Sequence, residues 1–211
     1  MREKILYFDC SAGISGDMTL GALLDLCADK KVFLAELEKL QIAFETTQRN
    51  AITATHVNVI LTGQEQAHDH THEHDHEHTH DHGHDHGHGH FHRSFRDIRQ
   101  MIQNSELSKE VKDLSLRIFT RVARAEAKVH HRDMEEVQFH EVGAVDSIVD
   151  IVGSAILITM LKPDRIFASV VQDGHGFVHC QHGMLSVPVP AVCEIFAESD
   201  VLIRQIDVDT E

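Results

Sequence analysis

Hydrophobic and polar positions alternate between two periods along this chain, and the periods divide it into strands and helices. A short apolar run, Lys4–Phe8, predicts a buried strand. Asp9 and the Gly- and Ser-rich stretch CSAGISGDM follow it, a turn into a helix running from Asp17 to about Cys27. Met18, Leu20, Leu23, Leu24 and Leu26 give that helix a wide apolar face, Ser15 can cap it, and Asp17 complements its dipole. A second helix is predicted over Val32–Leu40, and two strands over Ile42–Thr47 and Ile52–Leu61, with Arg49 and Asn50 in the turn between them. Ser94 can cap a helix reaching Gln103, and Ser108 a longer one through Leu114, Ile118, Val122 and Ala125 to Val129, ended by His130 and His131. Ala144–Leu161 is helical and apolar on most sides, which predicts a central packed helix stopped by Pro163. Ile166–Val171 reads as a second buried strand, and GHGFVHCQHG as a loop. Pro188 and Pro190 start a helix to about Ala197, and Val201–Ile206 is a last strand. Strands separated by helices, without an internal repeat, predict an α/β fold: a mixed sheet packed with helices.

One stretch fits neither period as a core element. From His68 to His92 every second residue is histidine: His68, His70, His72, His74, His76, His78, His80, His82, His84, His86, His88, His90 and His92. Neutral imidazole is the commonest nitrogen ligand for transition metals. In an extended segment, strict alternation projects imidazoles to one side and the intervening carboxylates to the other. Having almost nothing to bury, the tract is expected to be a disordered metal-collecting loop; a solvated linker is the plainer alternative. It does not choose among transition metals. The expected organisation is therefore an N-terminal α/β part over 1–66, the His-rich metal-binding loop over 67–92, and a helical and α/β part of the same domain over 93–211.

Composition narrows the function classes. The chain has 211 residues, of which 42% are hydrophobic and 25% charged, enough for a proper core without the tract. Net charge is −15 with histidines neutral, which argues against nucleic acid and against an anionic membrane surface and suits a cation-handling protein. Cys10, Cys27, Cys180 and Cys193 show no CxxC spacing and read as free thiols in a reducing cytosol. MREKILYFDC lacks the apolar core of a signal peptide. The longest apolar run, Ile148–Leu161, is interrupted by Asp150, Gly153, Ser154 and Thr159 and is too short and polar to span a bilayer.

Three further clusters carry possible chemistry. Asp9, Ser11, Ser15 and Asp17 surround one strand-to-helix turn, where α/β proteins place anionic ligands, and Gly13 and Gly16 let backbone approach a ligand. The spacing GISGD matches neither a P-loop nor a dinucleotide fingerprint, so a well-capped turn is an equal alternative. Cys10 reads better as a small buried hydrophobe than as a ligand. His140, Glu141, Asp146 and Asp150 form the second cluster. Asp146 and Asp150 share a face of an otherwise apolar helix, where carboxylates are costly unless paired, hydrogen-bonded or metal-bound. With His140 they could bind a divalent cation or supply a general base; for Asp146, capping is the alternative. The third is His175, His179 and His182 around Cys180, which could hold a metal or an anion, or only order a loop.

Read together, YFDCSAGISGDMTLGALLDL, FHEVGAVDSIVDIVG and GHGFVHCQHGMLSVPVPA, with AEAKVH and the His-rich insertion, resemble the nickel-insertion proteins that mature lactate racemase, the LarC family. The resemblance covers nearly the whole chain in the expected order. It implies a cytoplasmic, CTP-dependent nickel chelatase or insertase of the lyase class. Such an enzyme places nickel into pyridinium-3,5-bisthiocarboxylic acid mononucleotide, making the nickel-pincer nucleotide with one metal–carbon and two metal–sulfur bonds. CTP with Mg or Mn is expected for the complete enzyme and is associated with its C-terminal part. The family sequence continues past the equivalent of Glu211, so this chain resembles the first half, and its activity alone stays open. Implied partners are the C-terminal half, apo-lactate racemase as recipient of the cofactor, and a second copy in a homo-oligomer.

Carried over at the level of motifs, the expected catalytic residues are Asp9, Asp17, His140, Glu141, Asp146 and Asp150. Ser11, Gly13, Ser15, Gly16 and His175 are expected to bind the cofactor precursor, and the tract histidines to bind metal. Two alternatives remain at this point: a nickel-storage or metallochaperone module without catalysis, and a metal-dependent hydrolase using Asp9, Asp146 and His140.

Overall fold

The computed structural model describes residues 2–27, 29–40, 42–49, 52–59, 93–139, 145–180 and 183–209, with backbone alone for 42–49, 52–59, 145 and 208–209. The His-rich tract, His140 to Ala144 and His182 lie outside the described residues.

The helices begin where side chains can take up their free N–H groups. Ser15 caps α1, Gly16–Leu26, and Asp29 caps α2, Lys30–Glu38, which starts two residues earlier than its apolar pattern predicts. Ser94 and Asp97 form a reciprocal capping box on α3, Phe95–Asn104. Ser108 caps α4, Lys109–His130, which ends on His131 in the left-handed conformation at φ 52°. The central helix is α5, Val145–Leu161, and Pro190 opens α6, Pro190–Ala197.

The core forms around α5. Ile148, Val152, Ala155, Ile156 and Leu157 are fully buried and pack with Leu23 of α1, Phe33 and Leu37 of α2, and Phe119 and Ala123 of α4. Phe139 closes one end, with its ring 6.4 Å from that of Phe95 and 6.3 Å from that of Phe119. On its other side α4 meets α6. Arg124 Nη1 lies 3.5 Å from Glu198 Oε2, and Lys128 Nζ pairs with Glu194.

The strands depart from a single mixed sheet. Among the described residues they form five two-stranded pairs. β1, Ile5–Phe8, runs parallel to β6, Arg165–Ala168; β7, Val171–His175, runs parallel to β10, Ile203–Asp209. β2, Ile42–Arg49, pairs antiparallel with β3, Ile52–Val59, and β4, Arg93–Ser94, with β5, Gln138–Phe139. The predicted strand Ile166–Val171 is broken at Ser169 and Val170, so its two parts take different partners. The predicted loop is a hairpin of β8, Phe177–Cys180, and β9, Gly183–Ser186.

Of the two strands predicted to be buried, β1 is open on one face and β6 on both. Leu6 faces the core, while Ile5 is 52% and Tyr7 59% exposed, and every residue of β6 is exposed. A two-stranded ribbon can hide only the face that helices cover, and an apolar run cannot say how many faces will be covered. No described helix is long and apolar enough to cross a membrane.

Candidate functional site

β1 delivers the chain into the Asp9–Asp17 turn, and backbone bonds tie that turn to β7. The Cys10 carbonyl accepts from Gly13 N and from Gln172 N, both at 3.1 Å, and Cys10 N donates to Ser169 Oγ at 2.8 Å. The Cys10 side chain is buried, as a small hydrophobe would be. Gly13 takes φ +87°, a conformation that side-chain-bearing residues adopt only with strain. Ser11 N donates to Asp9 Oδ1 at 3.0 Å; the Ser11 hydroxyl, then this N–H, hold the Asp9 carboxyl below its ordinary range. Ser15 Oγ accepts from Met18 N at 3.4 Å and donates to Asp17 Oδ1. The Ser15 hydroxyl, then the Met18 N–H, likewise keep Asp17 below its ordinary range.

Against the first turn of α1 stands Asp150 of α5. A methyl group placed on Gly16 would lie 2.4 Å from Asp150 Oδ2, so the absence of a side chain at Gly16 is what admits this carboxylate. Burial raises the Asp150 pKa, and the charges of Asp17 and then Asp146 raise it further. A carboxylate of raised pKa on α5 thus stands beside one kept ionised in the turn, the separation expected of groups that divide proton transfer and charge stabilisation.

The same turn borders a cavity of about 340 Å³. Ala12, Gly13 and Ile14 form one wall and Val171 to Gly174 of β7 another. Val187 to Val189, with Val192 and Phe196 of α6 and Ile203 and Ile206 of β10, complete an apolar enclosure. Gln205 braces it, since its Nε2 donates to the Gly174 carbonyl at 3.2 Å and the Val187 carbonyl at 3.1 Å. A mostly apolar cleft with a few convergent polar groups is the ordinary form of a small-molecule site.

The structure brings Asp17, Asp146 and Asp150 into electrostatic contact and keeps Ser11, Gly13, Ser15 and Gly16 in one turn. Asp9 begins that turn, with Ser11 as its partner. His175 ends β7, with Nε2 2.9 Å from Asp207 Oδ1; its neighbours Asp173 and Gly174 line the cavity. His179 is exposed on β8. His140, Glu141 and His68 to His92 are outside the described residues. Among the described residues no three His, Cys, Asp or Glu side chains are arranged to hold a metal ion. Sequence reasoning missed Gln172, Gln205, Asp207 and the apolar wall of α6. The strand pattern around Ile203 and Ile206 was readable, but not which strand it would join.

The family description "Nickel insertion protein" matches residues 6–211. The chain belongs to the nickel insertion protein family. It is 50% identical over 213 residues to the pyridinium-3,5-bisthiocarboxylic acid mononucleotide nickel insertion protein of Acetivibrio thermocellus, covering 99% of this chain and 48% of that protein. It is 57% identical over 206 residues to the protein of the same name in Clostridium acetobutylicum, covering 91% of this chain and 49% of the relative. In Clostridium kluyveri the figures are 48% over 198 residues, 91% and 46%. The chain therefore spans about half the length of the curated relatives it matches. No solved structure matches it significantly. Family membership gives the turn and its carboxylates a context that their geometry alone lacks.

Proposed function

We propose that this chain is the part of a cytoplasmic nickel insertase that holds pyridinium-3,5-bisthiocarboxylic acid mononucleotide while nickel is inserted. The observation that carries the reading is the placement of Asp150: a carboxylate of raised pKa, admitted by Gly16, beside Asp17, at a turn that also walls an apolar cavity. The apolar walls suit a planar pyridinium ring. Asp150 is the base that removes the C4 proton; the electron pair of the broken C–H bond becomes the metal–carbon bond, and the proton stays on Asp150. Asp17, already ionised, and Asp146 stabilise the positive charge of ring and metal. The two thiocarboxylates are soft donors and suit nickel. Asp9, His140, Glu141 and His175 are the further residues assigned to this reaction, and the His-rich tract raises the local nickel concentration.

The residues around the cavity do not fit CTP with Mg or Mn. No described lining residue is Lys or Arg to meet the charge of a triphosphate. That role goes to the C-terminal half, which is the proposed partner together with apo-lactate racemase and a second copy of the chain.

The test is formation of the nickel-pincer nucleotide by the longer form of the protein, followed by its absorbance or by activation of apo-lactate racemase. Deleting Ala67–His92 should lower the nickel bound per chain and slow product at limiting nickel, with near-normal activity in excess nickel. Asp150→Asn should keep nickel binding and lose product. Retained product in Asp150→Asn, with loss only on deleting the tract, would favour the second reading, a nickel store.

A further inference from the structure

A mononucleotide carries a phosphate, and the turn that looks suited to it by position is unsuited by charge. Asp9 and Asp17 belong to that turn and Asp150 presses on it, in a chain of net charge −15. A phosphate dianion needs a cation, and none of the described lining residues is Lys or Arg.

The nearest guanidinium along the wall is on β10. The β7–β10 register pairs Arg204 with Gln172, so the two side chains stand on the same face of the ribbon. Gln172 lines the cavity, and Arg204 Nη2 donates to its Oε1 at 2.5 Å. This partner is a neutral carboxamide. Arg99, Arg124 and Arg165 each pair with a carboxylate, which neutralises them. Arg204 forms no ion pair among the described residues, and a carboxamide fixes a guanidinium without cancelling its charge. One of its five N–H donors is engaged, and the rest of the fork is available to a tetrahedral oxyanion. Neither carboxylate on the two strands pairs with Arg204: Asp173, which lines the cavity, accepts from Gly174 N at 2.9 Å, and Asp207 stands 2.9 Å from His175 Nε2.

Building on the reading of the cavity as a pyridinium mononucleotide site, we infer that Arg204, held by Gln172, binds the phosphate monoester of that ligand at the cavity rim. The ring then lies inward along the Ala12–Ile14 wall, on the side of Asp150, and the phosphate stays at the rim beside Arg204.

Calorimetric binding to the full chain tests this with nicotinate mononucleotide, nicotinate riboside and ribose 5-phosphate as probes. Arg204→Gln should weaken nicotinate mononucleotide about 10- to 100-fold, the effect of losing a charge-assisted bidentate contact, and leave the riboside unchanged. Gln172→Ala should weaken the mononucleotide in part, and Arg117→Gln on α4, a distant exposed arginine, should not weaken it. Equal affinity of wild type and Arg204→Gln for the mononucleotide would overturn the assignment while leaving the pyridinium reading intact. An equal loss of the riboside would also overturn it, because the phosphate would not be what Arg204 reads. If ribose 5-phosphate binds as tightly as the mononucleotide and both lose to Arg204→Gln, the anion site stands and the pyridinium reading falls. Failure of both phosphate-bearing probes to bind the wild type overturns both.

Discussion

The helices α1 to α5 and the strands β6 to β10 with α6 are built to different standards. In the first region Ile98, Ile102, Phe119, Ala123, Ile148, Val152, Ala155 and Leu157 are all completely buried. In the second, α6 has no buried residue, while Phe177 is 72%, Met184 69% and Leu202 69% exposed. The helical region supplies rigidity, and the strand region supplies the cavity. The candidate site lies where they meet: α5 carries Asp146 and Asp150 out of the packed core to a turn whose other side opens on the cavity. A carboxylate held by a tightly packed helix can keep a raised pKa and a fixed position, whereas one on an open strand would relax into solvent.

The contrast can be broken first by emptying the helical core. Phe119→Ala should cost about 3–5 kcal/mol, read by urea denaturation, because a fully buried ring leaves a cavity that the neighbouring helices cannot close. A loss below about 1 kcal/mol would mean the helical region is not the rigid one. Next comes the seam. Gly16→Ala forces a methyl into the space of the Asp150 carboxylate and should cost about 1–3 kcal/mol. It should also lower nickel-pincer formation about 100-fold, since displacing a reacting group by about 1 Å has that effect. Normal product from this variant would remove Asp150 from the reaction.

Asp150→Asn should move stability the other way by a smaller amount. The folded-state pKa of Asp150 is raised, so its charge opposes folding above that pKa; the opposition fades as pH falls through it and is gone below the ordinary value of 3.8. The variant should therefore melt higher than wild type at pH 7, with the gap closing on acidification, and a gap that widens in acid would reverse the sign of the argument. On the proposed role of Asp150 as the base, product formation by the longer form of the protein should fall as pH drops through the same pKa. The smallest effect belongs to the open strands: Tyr7→Ser should shift stability by no more than about 0.5 kcal/mol.

Helices were legible in the chain wherever a cap and a 3.6-residue stripe coincided, as at Ser15, Ser94 and Ser108. Asp29 was overlooked as a cap because two lysines separate it from the apolar pattern. The β2–β3 pairing was legible, since one short turn joins the two strands. The parallel pairings were not: β1 meets β6 across 160 positions, with Lys4 N donating to Asp164 Oδ2 at 2.7 Å, and no local period encodes that. The β8–β9 hairpin was hidden because its inward residues, Val178, Cys180 and Leu185, alternate over only four positions with glycines and histidines around them. For the site, Asp146 and Asp150 could be nominated from the cost of a carboxylate on an apolar helix, and Asp9 and Asp17 from their place around a strand-to-helix turn. The contact between Gly16 and Asp150 could not be, since a glycine beside a serine already had a sufficient explanation as a turn.

The tether between α4 and α6 makes the cavity responsive to ionic strength. Val192 and Phe196 form part of its wall, and the same short helix and its C-cap carry Glu194 and Glu198, which reach Lys128 and Arg124. These pairs are solvent-accessible, so mobile ions compete with them; at physiological salt the screening length is about 8 Å, and at 1 M about 3 Å. A wall fastened in this way loosens as salt rises, and a ligand whose formal charges cancel, such as nicotinate riboside, should then bind less tightly. Unchanged riboside affinity between 0.05 and about 1 M salt would mean that α6 is held by packing alone.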